Sequence, residues 1–99
     1  MRKAQRSSIK PLGSAMQELI VGLGIKKKID EYQAVVRWPE IVGDHIAKVS
    51  EATRIRQGVL FVSVRVSTWR NELQLRKAEI MKKLNKALGE ELVKDIKFQ

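Results

Sequence analysis

The 99-residue chain contains no cysteine, a single histidine and two prolines. Without thiols it can form neither disulfides nor thiolate metal sites. The histidine, His45, is not accompanied by carboxylates at the spacing of metal ligands. The apolar runs are short and interrupted, so we expect no membrane-spanning segment. The start of the chain, Met1 to Arg6, is basic but has no apolar core of a signal peptide, which predicts a cytoplasmic protein.

Catalytic signatures are also missing. A general base such as His45 needs a nucleophile and an orienting partner, and the sequence offers neither. Gly22-Leu23-Gly24 is not followed by the residues of a phosphate-binding loop. The carboxylates Asp30-Glu31 and Glu90-Glu91 are neighbours in sequence, so a helix would not direct them to one site. We therefore expect no catalytic activity, no metal, no cofactor and no small-molecule substrate.

Charge is the informative property of the composition. Twenty Lys and Arg residues against eleven Asp and Glu residues give a net charge of +9. Such an excess predicts attraction to polyanions, of which nucleic acid is the first candidate. The alternative is a solvated surface that is basic without a polyanionic partner. Ninety-nine residues are enough for one domain and too few for two.

The pattern of apolar residues predicts an α+β domain over residues 11–99, preceded by a basic flexible arm over residues 1–10. A helix begins near Ser14 and is followed by helices at Ile25 to Arg37 and Pro39 to Lys48. Strands are then expected at Ala52 to Arg56 and Val59 to Val66, one long helix from Ser67 to Leu88, and a last strand at Val93 to Phe98. The predicted architecture is a small three-stranded sheet with helices packed on one face.

Several side chains can be placed on this framework. In the helix from Ile25, we expect Ile29, Tyr32, Val35 and Val36 to point inward. Both tryptophans are predicted to be packing anchors, and Trp69 should be buried between the long helix and the sheet. Lys26, Lys27 and Lys28 form either a contact surface or a solvated helix face.

Strand alternation separates an apolar face of the sheet from a polar one. The apolar face should carry Ile55, Leu60, Val62, Val64, Val66, Ile96 and Phe98. The opposite face should carry Arg54, Arg56, Phe61, Ser63, Arg65 and Lys97. Cations around an aromatic ring suit single-stranded nucleic acid, because bases stack while phosphates pair with cations. The alternative is an exposed face that arginines keep soluble.

An ordered set of short blocks resembles the DciA family of bacterial proteins. The blocks are Pro11-Leu12-Gly13, Trp38 to Gly43, Gly58 to Val62, Ser67 to Leu73, Leu84 to Gly89 and Ile96-Lys97-Phe98. The resemblance implies a K-homology-like fold, DNA binding and action with the replicative DNA helicase as its loader or operator. One difference is that the chain has no Gly-x-x-Gly, the backbone clamp of K-homology domains.

Charge and resemblance together predict a nucleoid-associated accessory protein of DNA replication that binds DNA, single-stranded in preference to double-stranded. Its partner would be the replicative helicase, and counterion release would supply most of the affinity for DNA. The expected DNA-contacting residues are Arg2, Lys3, Arg6, Lys10, Arg54, Arg56, Phe61, Arg65 and Lys97. Two alternatives remain: an RNA-binding protein of ribosome maturation, and a protein-only adaptor whose charge is incidental.

Overall fold

The computed structural model describes residues 24–99. Its helices are α1 (Ile25–Val36), α2 (Trp38–Val42), α3 (Asp44–Ala47), α4 (Ser67–Leu75) and α5 (Lys77–Leu88), and its strands are β1 (Ser50–Arg56), β2 (Val59–Val64) and β3 (Asp95–Phe98). The predicted basic arm and the helix expected near Ser14 lie outside the described residues. Within residues 24–99, no helix is both long and apolar enough to cross a bilayer.

The three strands form one mixed sheet in the order β1-β2-β3. β1 and β2 pair antiparallel, whereas β2 and β3 pair parallel. Gln57 and Gly58 connect the first two strands with φ angles of 51° and 82°, the left-handed conformations that a two-residue hairpin turn requires. The α+β class and the three-stranded sheet predicted from the sequence are therefore confirmed.

Helices cover one face of the sheet and enclose the core. Leu60, Val62 and Val64 of β2 are buried there. They pack in one cluster with side chains from four helices and from β3, among them Ala34, Trp38, Val42, Leu73, Ile80, Leu84 and Ile96. Alternation along β2 predicts this burial, because every second side chain of a strand points to the same face.

The tryptophan at the centre of the core is Trp38. It is 1% exposed, and its indole Nε1 donates a hydrogen bond of 3.0 Å to Ser50 Oγ. Trp69 is only half-buried at the edge of the core, so the prediction that it lies buried between a long helix and the sheet was wrong.

Two of the expected helices are each divided, one at Gly43, where the sequence already indicates an interruption, and one at Arg76, where the sequence predicts none. Gly43, with φ 89°, separates α2 from α3 within the helix expected over Pro39 to Lys48. Arg76 separates α4 from α5 within the helix expected over Ser67 to Leu88. The apolar stripe from Leu73 to Ile80 has a gap at Arg76 and Lys77, so continuing the helix there would bury charge. Breaking at Arg76 instead leaves Leu73 and Ile80 both buried.

The inward face of α1 also differs from the prediction. Ala34 is fully buried, whereas Ile29, Tyr32 and Val36 are 50%, 62% and 52% exposed, and Val35 is half-buried. Alanine carries a single methyl group, so α1 can approach the core closely on this side and leave the space to Trp38. Val66 is exposed as well, because β2 ends at Val64 and the alternation ends with it.

A side-chain amide positions the last strand. Asn85 Nδ2 of α5 donates to the Val93 carbonyl oxygen at 2.9 Å, and the Val93 amide donates to Asn85 Oδ1 at 2.8 Å. The Lys94 amide also donates to the Gly58 carbonyl oxygen at 2.8 Å. These bonds hold the segment between α5 and β3 against the hairpin, and so fix where β3 and its Lys97 lie.

Candidate nucleic-acid interface

One row of side chains crosses the sheet on the face opposite the core. Arg54 of β1 lies opposite Phe61 of β2, which in turn lies beside Lys97 of β3. Every residue of this face is exposed or half-buried within the described part of the chain. The expectation that Arg54, Phe61 and Lys97 share a face is therefore met by the strand register.

A β-bulge puts Arg54 in the row. Ala52 pairs with Val62 and Arg54 pairs with Phe61, so Thr53 is the extra residue of β1. Thr53 Oγ1 donates to the Phe61 carbonyl oxygen at 3.2 Å. Strict alternation along β1 would place Thr53 on the apolar face with Ile55, but Thr53 is exposed and Ala52 is buried in the core instead. A bulge lets Ala52 and Arg54 point to opposite faces, which strict alternation forbids.

Both cations of the row lie over the same ring. Arg54 Cζ lies 4.4 Å from the centroid of the Phe61 ring, and Lys97 Nζ lies 6.0 Å from it. The negative face of an aromatic ring attracts cations at these distances. Arg54 is nevertheless exposed, so its guanidinium stays accessible to a ligand from the solvent side.

Arg56 and Arg65 lie towards opposite ends of this face. Arg56 pairs with Val59 beside the hairpin, and Arg65 follows the last residue of β2. Between Arg65 and the row, Glu51 of β1 pairs with Ser63 of β2. A carboxylate at that place weakens the attraction of a polyanion between Arg65 and Arg54. Arg65 is therefore separated from the row by a negative charge, whereas Arg56 extends the row towards the hairpin.

The second carboxylate near the row is paired with a lysine. Lys77 Nζ of α5 donates a hydrogen bond of 3.0 Å to Asp95 Oδ1 of β3, and the two charges form an ion pair. That hydrogen bond is the main reason why the pKa of Asp95 lies below its ordinary value of 3.8. The carboxylate stays ionised and paired with Lys77 at neutral pH, and the charge of Lys97 lowers its pKa further to a smaller extent.

The cations of this sheet face have no ion-pair partner among the described residues. Within residues 24–99, Arg54, Arg56, Arg65 and Lys97 form no salt bridge. A bound phosphate would therefore not have to displace a carboxylate from any of them. No cluster of histidine and carboxylate residues that could hold a metal ion occurs in this part of the chain.

The sequence-predicted site is thus divided into three parts. Arg54, Phe61 and Lys97 come together with Arg56 beside them, and Arg65 stands apart. Arg2, Lys3, Arg6 and Lys10 lie outside the described residues. Sequence reasoning missed Thr53, whose bulge sets the register of the row. The only signal of it is Ala52, a small apolar residue at a position where alternation would place it with the arginines.

Comparison with known proteins identifies the family. The family model described as "Dna[CI] antecedent, DciA" matches residues 11–98. A UPF0232 protein of Rhodococcus jostii is 30% identical over 88 residues, which cover 89% of this chain and 47% of that protein. A UPF0232 protein of Mycobacterium tuberculosis shows the same identity and coverage, and one of Mycolicibacterium smegmatis is 28% identical over 87 residues, or 88% of this chain and 45% of its own. The chain spans about half the length of the curated relatives it matches. Its match over residues 11–98 shows that it belongs to the DciA family.

Proposed function

We propose that this protein is a non-catalytic, DNA-binding accessory protein of bacterial replication that associates with the replicative helicase. Family membership supports the link to replication. The observation that carries DNA binding is the row in which Arg54 and Lys97 both lie over Phe61. It combines two cations with a flat surface on an exposed face, which is the chemistry that a single strand requires.

The stacking surface in this proposal is the pair of Arg54 and Phe61 rather than the bare ring. The guanidinium covers the ring at 4.4 Å, and a base stacks on the outer plane of the guanidinium, as bases do on arginine in RNA-binding domains. Lys97 and Arg56 contact the phosphates on either side. Counterions released by these contacts supply affinity that does not depend on sequence.

Single strands are preferred because only unpaired bases offer a free face for stacking. The row spans three strands, or about 10 Å from β1 to β3, which is too narrow to follow a duplex groove for a full turn. Duplex DNA therefore binds through phosphates alone and more weakly. The basic arm, residues 1–10, adds affinity for both forms without fixing the orientation of the strand.

Fluorescence anisotropy with labelled single-stranded DNA, duplex DNA and single-stranded RNA of equal length tests DNA binding. The proposal expects single-stranded DNA to bind most tightly and its affinity to fall as salt rises. A clear preference for RNA would favour ribosome maturation instead. Absence of any salt-dependent binding would leave a protein adaptor.

Association with the helicase is proposed from the family alone. Calorimetric titration of the purified replicative helicase with this protein at low salt measures it directly. The proposal expects a saturable heat signal and a higher recovery of helicase on single-stranded DNA when the protein is present. No detectable heat at two temperatures would contradict the helicase role, whatever the outcome with DNA.

A further inference from the structure

A basic groove, distinct from the row on the sheet, runs between helix α1 and the edge strand β1. Helix side chains form one wall, and the strand with its hairpin turn forms the other. The lining residues are Gly24, Lys27, Lys28, Glu31, Tyr32 and Val35 from the helix side and Thr53, Arg54, Ile55, Arg56 and Gln57 from the strand side. Its position next to Arg54 makes it continuous with the row on the sheet.

Positive charge dominates the groove. Lys26, outside it, is bound to Asp30 at 2.9 Å, and that hydrogen bond raises its pKa. Lys27 and Lys28 form no ion pair with any residue of the described range. With Arg54 and Arg56 opposite, four cations line the groove against one carboxylate, Glu31. The lysine triplet at the start of α1 therefore divides into one paired lysine and two that line the groove.

Tyr32 supplies an aromatic surface in the same groove. Its side chain is 62% exposed although the sequence predicted it to be inward. Half-buried Val35 and Ile55 line the groove beside it. An exposed tyrosine between cations offers a π-face on which a base can stack without sequence preference. Leaving this large ring in solvent gains nothing for folding, because its apolar area stays in contact with water.

We propose that the groove binds the continuation of the same single-stranded nucleic acid, with a base on Tyr32 and phosphates on Lys27 and Lys28. The inference depends on the proposed DNA-binding function. A strand leaving Arg54 reaches the groove by crossing only β1, a step of about 5 Å. Charge selects nucleic acid over an apolar peptide here, since four cations would stay unpaired against such a peptide.

Oligonucleotides of two lengths distinguish binding in the groove from binding on the row of the sheet. Oligo-dT of about 4 nucleotides can occupy either the row or the groove, whereas oligo-dT of about 16 nucleotides can occupy both at once. The variants are Tyr32→Leu, which keeps the apolar bulk, and Lys27→Ala with Lys28→Ala. The matched control is Lys82→Ala with Lys83→Ala, two adjacent exposed lysines on α5 outside the groove.

We expect Tyr32→Leu to weaken binding of the long oligonucleotide about tenfold, within the range of one lost base stack. The double lysine variant should weaken it similarly and reduce the salt slope by about 1 unit. Neither variant should change binding of the short oligonucleotide by more than about twofold, because Arg54, Phe61 and Lys97 remain. The control pair should leave the long oligonucleotide bound as in the wild type.

Other outcomes distinguish this inference from the proposed function. If the groove variants match the control while Lys97→Ala weakens both oligonucleotides, the groove is not a binding site and the proposed function stands. Equal loss for short and long oligonucleotides would also overturn the inference. If the wild type binds neither, the proposed function itself fails. Loss of helicase binding with DNA binding intact would assign the groove to a protein partner and contradict the inference.

Discussion

The guanidinium of Arg54 lies over the ring of Phe61, with Cζ 4.4 Å from the ring centroid. This contact joins two strands on the exposed face, and it exists because the bulge at Thr53 brings Arg54 opposite Phe61. It gives the Arg54 guanidinium a restraint on its position that a fully solvated arginine lacks. This restraint reduces the entropy lost when a ligand binds.

Arg54→Lys keeps the charge and removes the planar guanidinium. We expect it to weaken binding of single-stranded DNA by about 1 kcal/mol or more, as loss of a stacking surface does, while the salt slope stays unchanged. Arg56→Lys is the matched control on the same strand and should change neither quantity, because Arg56 lies over no aromatic ring of residues 24–99. Titrations followed by anisotropy at several salt concentrations measure both. Equal effects of the two substitutions would show that Arg54 acts only as a charge.

Trp38→Ala should destabilise the domain by about 3–5 kcal/mol, because it empties the centre of the core and leaves Ser50 without its indole donor. Trp69→Ala should cost clearly less, since its side chain is half-buried. Urea unfolding followed by circular dichroism gives both free energies. The reverse order of the two would contradict the packing described for α2 and α4.

Asn85→Ala should cost about 1–3 kcal/mol of stability, because the backbone N–H and C=O of Val93 lose their shared partner in a part-buried place. Asn71→Ala is the control, an exposed asparagine on α4. Urea unfolding compares the two variants, and hydrogen exchange at β3 should accelerate only in Asn85→Ala. Equal stability and exchange in both variants would show that Asn85 does not anchor β3.

The ion pair of Lys77 and Asp95 predicts a pH dependence. The pKa of Asp95 is lowered in the folded state by the hydrogen bond from Lys77, so the pair stabilises the fold above pH 3.8 and loses this effect as pH falls through the lowered pKa. Asp95→Asn should cost at most about 1 kcal/mol at neutral pH, because solvent screens a partly exposed pair, and nothing at low pH.

Unfolding by urea at several pH values measures this dependence, with Glu91→Gln as the control for removing a carboxylate outside the ion pairs of the described residues. The stability difference between wild type and Asp95→Asn should shrink on acidification, whereas that of the control should not. A difference that grows as pH falls would mean that the pair does not stabilise the folded state.

Periodicity predicted the parts of the fold in which one pattern runs without interruption. β2 alternates over six residues, and its three inward side chains are all buried. The same alternation places Phe61 on the opposite face, and the parallel pairing of β2 with β3 places Lys97 beside it. This part of the candidate site could be read from the sequence because a strand has only two faces.

Prediction from the sequence failed where contacts between distant elements decide which side chains are buried and how strands pair. The larger apolar side chains of α1 predicted its inward face, but Ala34 is the residue of α1 that is buried, next to Trp38 of α2 in the core, and Tyr32 is exposed. The bulge at Thr53 depends on how two strands pair, and its one trace in the sequence is the apolar residue Ala52 at a position that alternation would assign to the arginine face. The groove between α1 and β1 is formed by residues far apart in sequence, so its lysines could not be told from a solvated face.

The salt dependence of single-stranded DNA binding tests most directly whether the sheet face is the interface. The three proteins to compare are the wild type, a variant with Arg54→Ala, Arg56→Ala and Arg65→Ala, and a form lacking residues 1–10. If about 4 to 6 phosphates are neutralised, the wild-type slope of log affinity against log salt should be about −3 to −4. The triple variant should flatten it by about 2 units, and the truncated form should keep most of the affinity. Should the truncated form lose nearly all binding while the triple variant keeps the full slope, the sheet face is a solvated surface and the central claim is wrong.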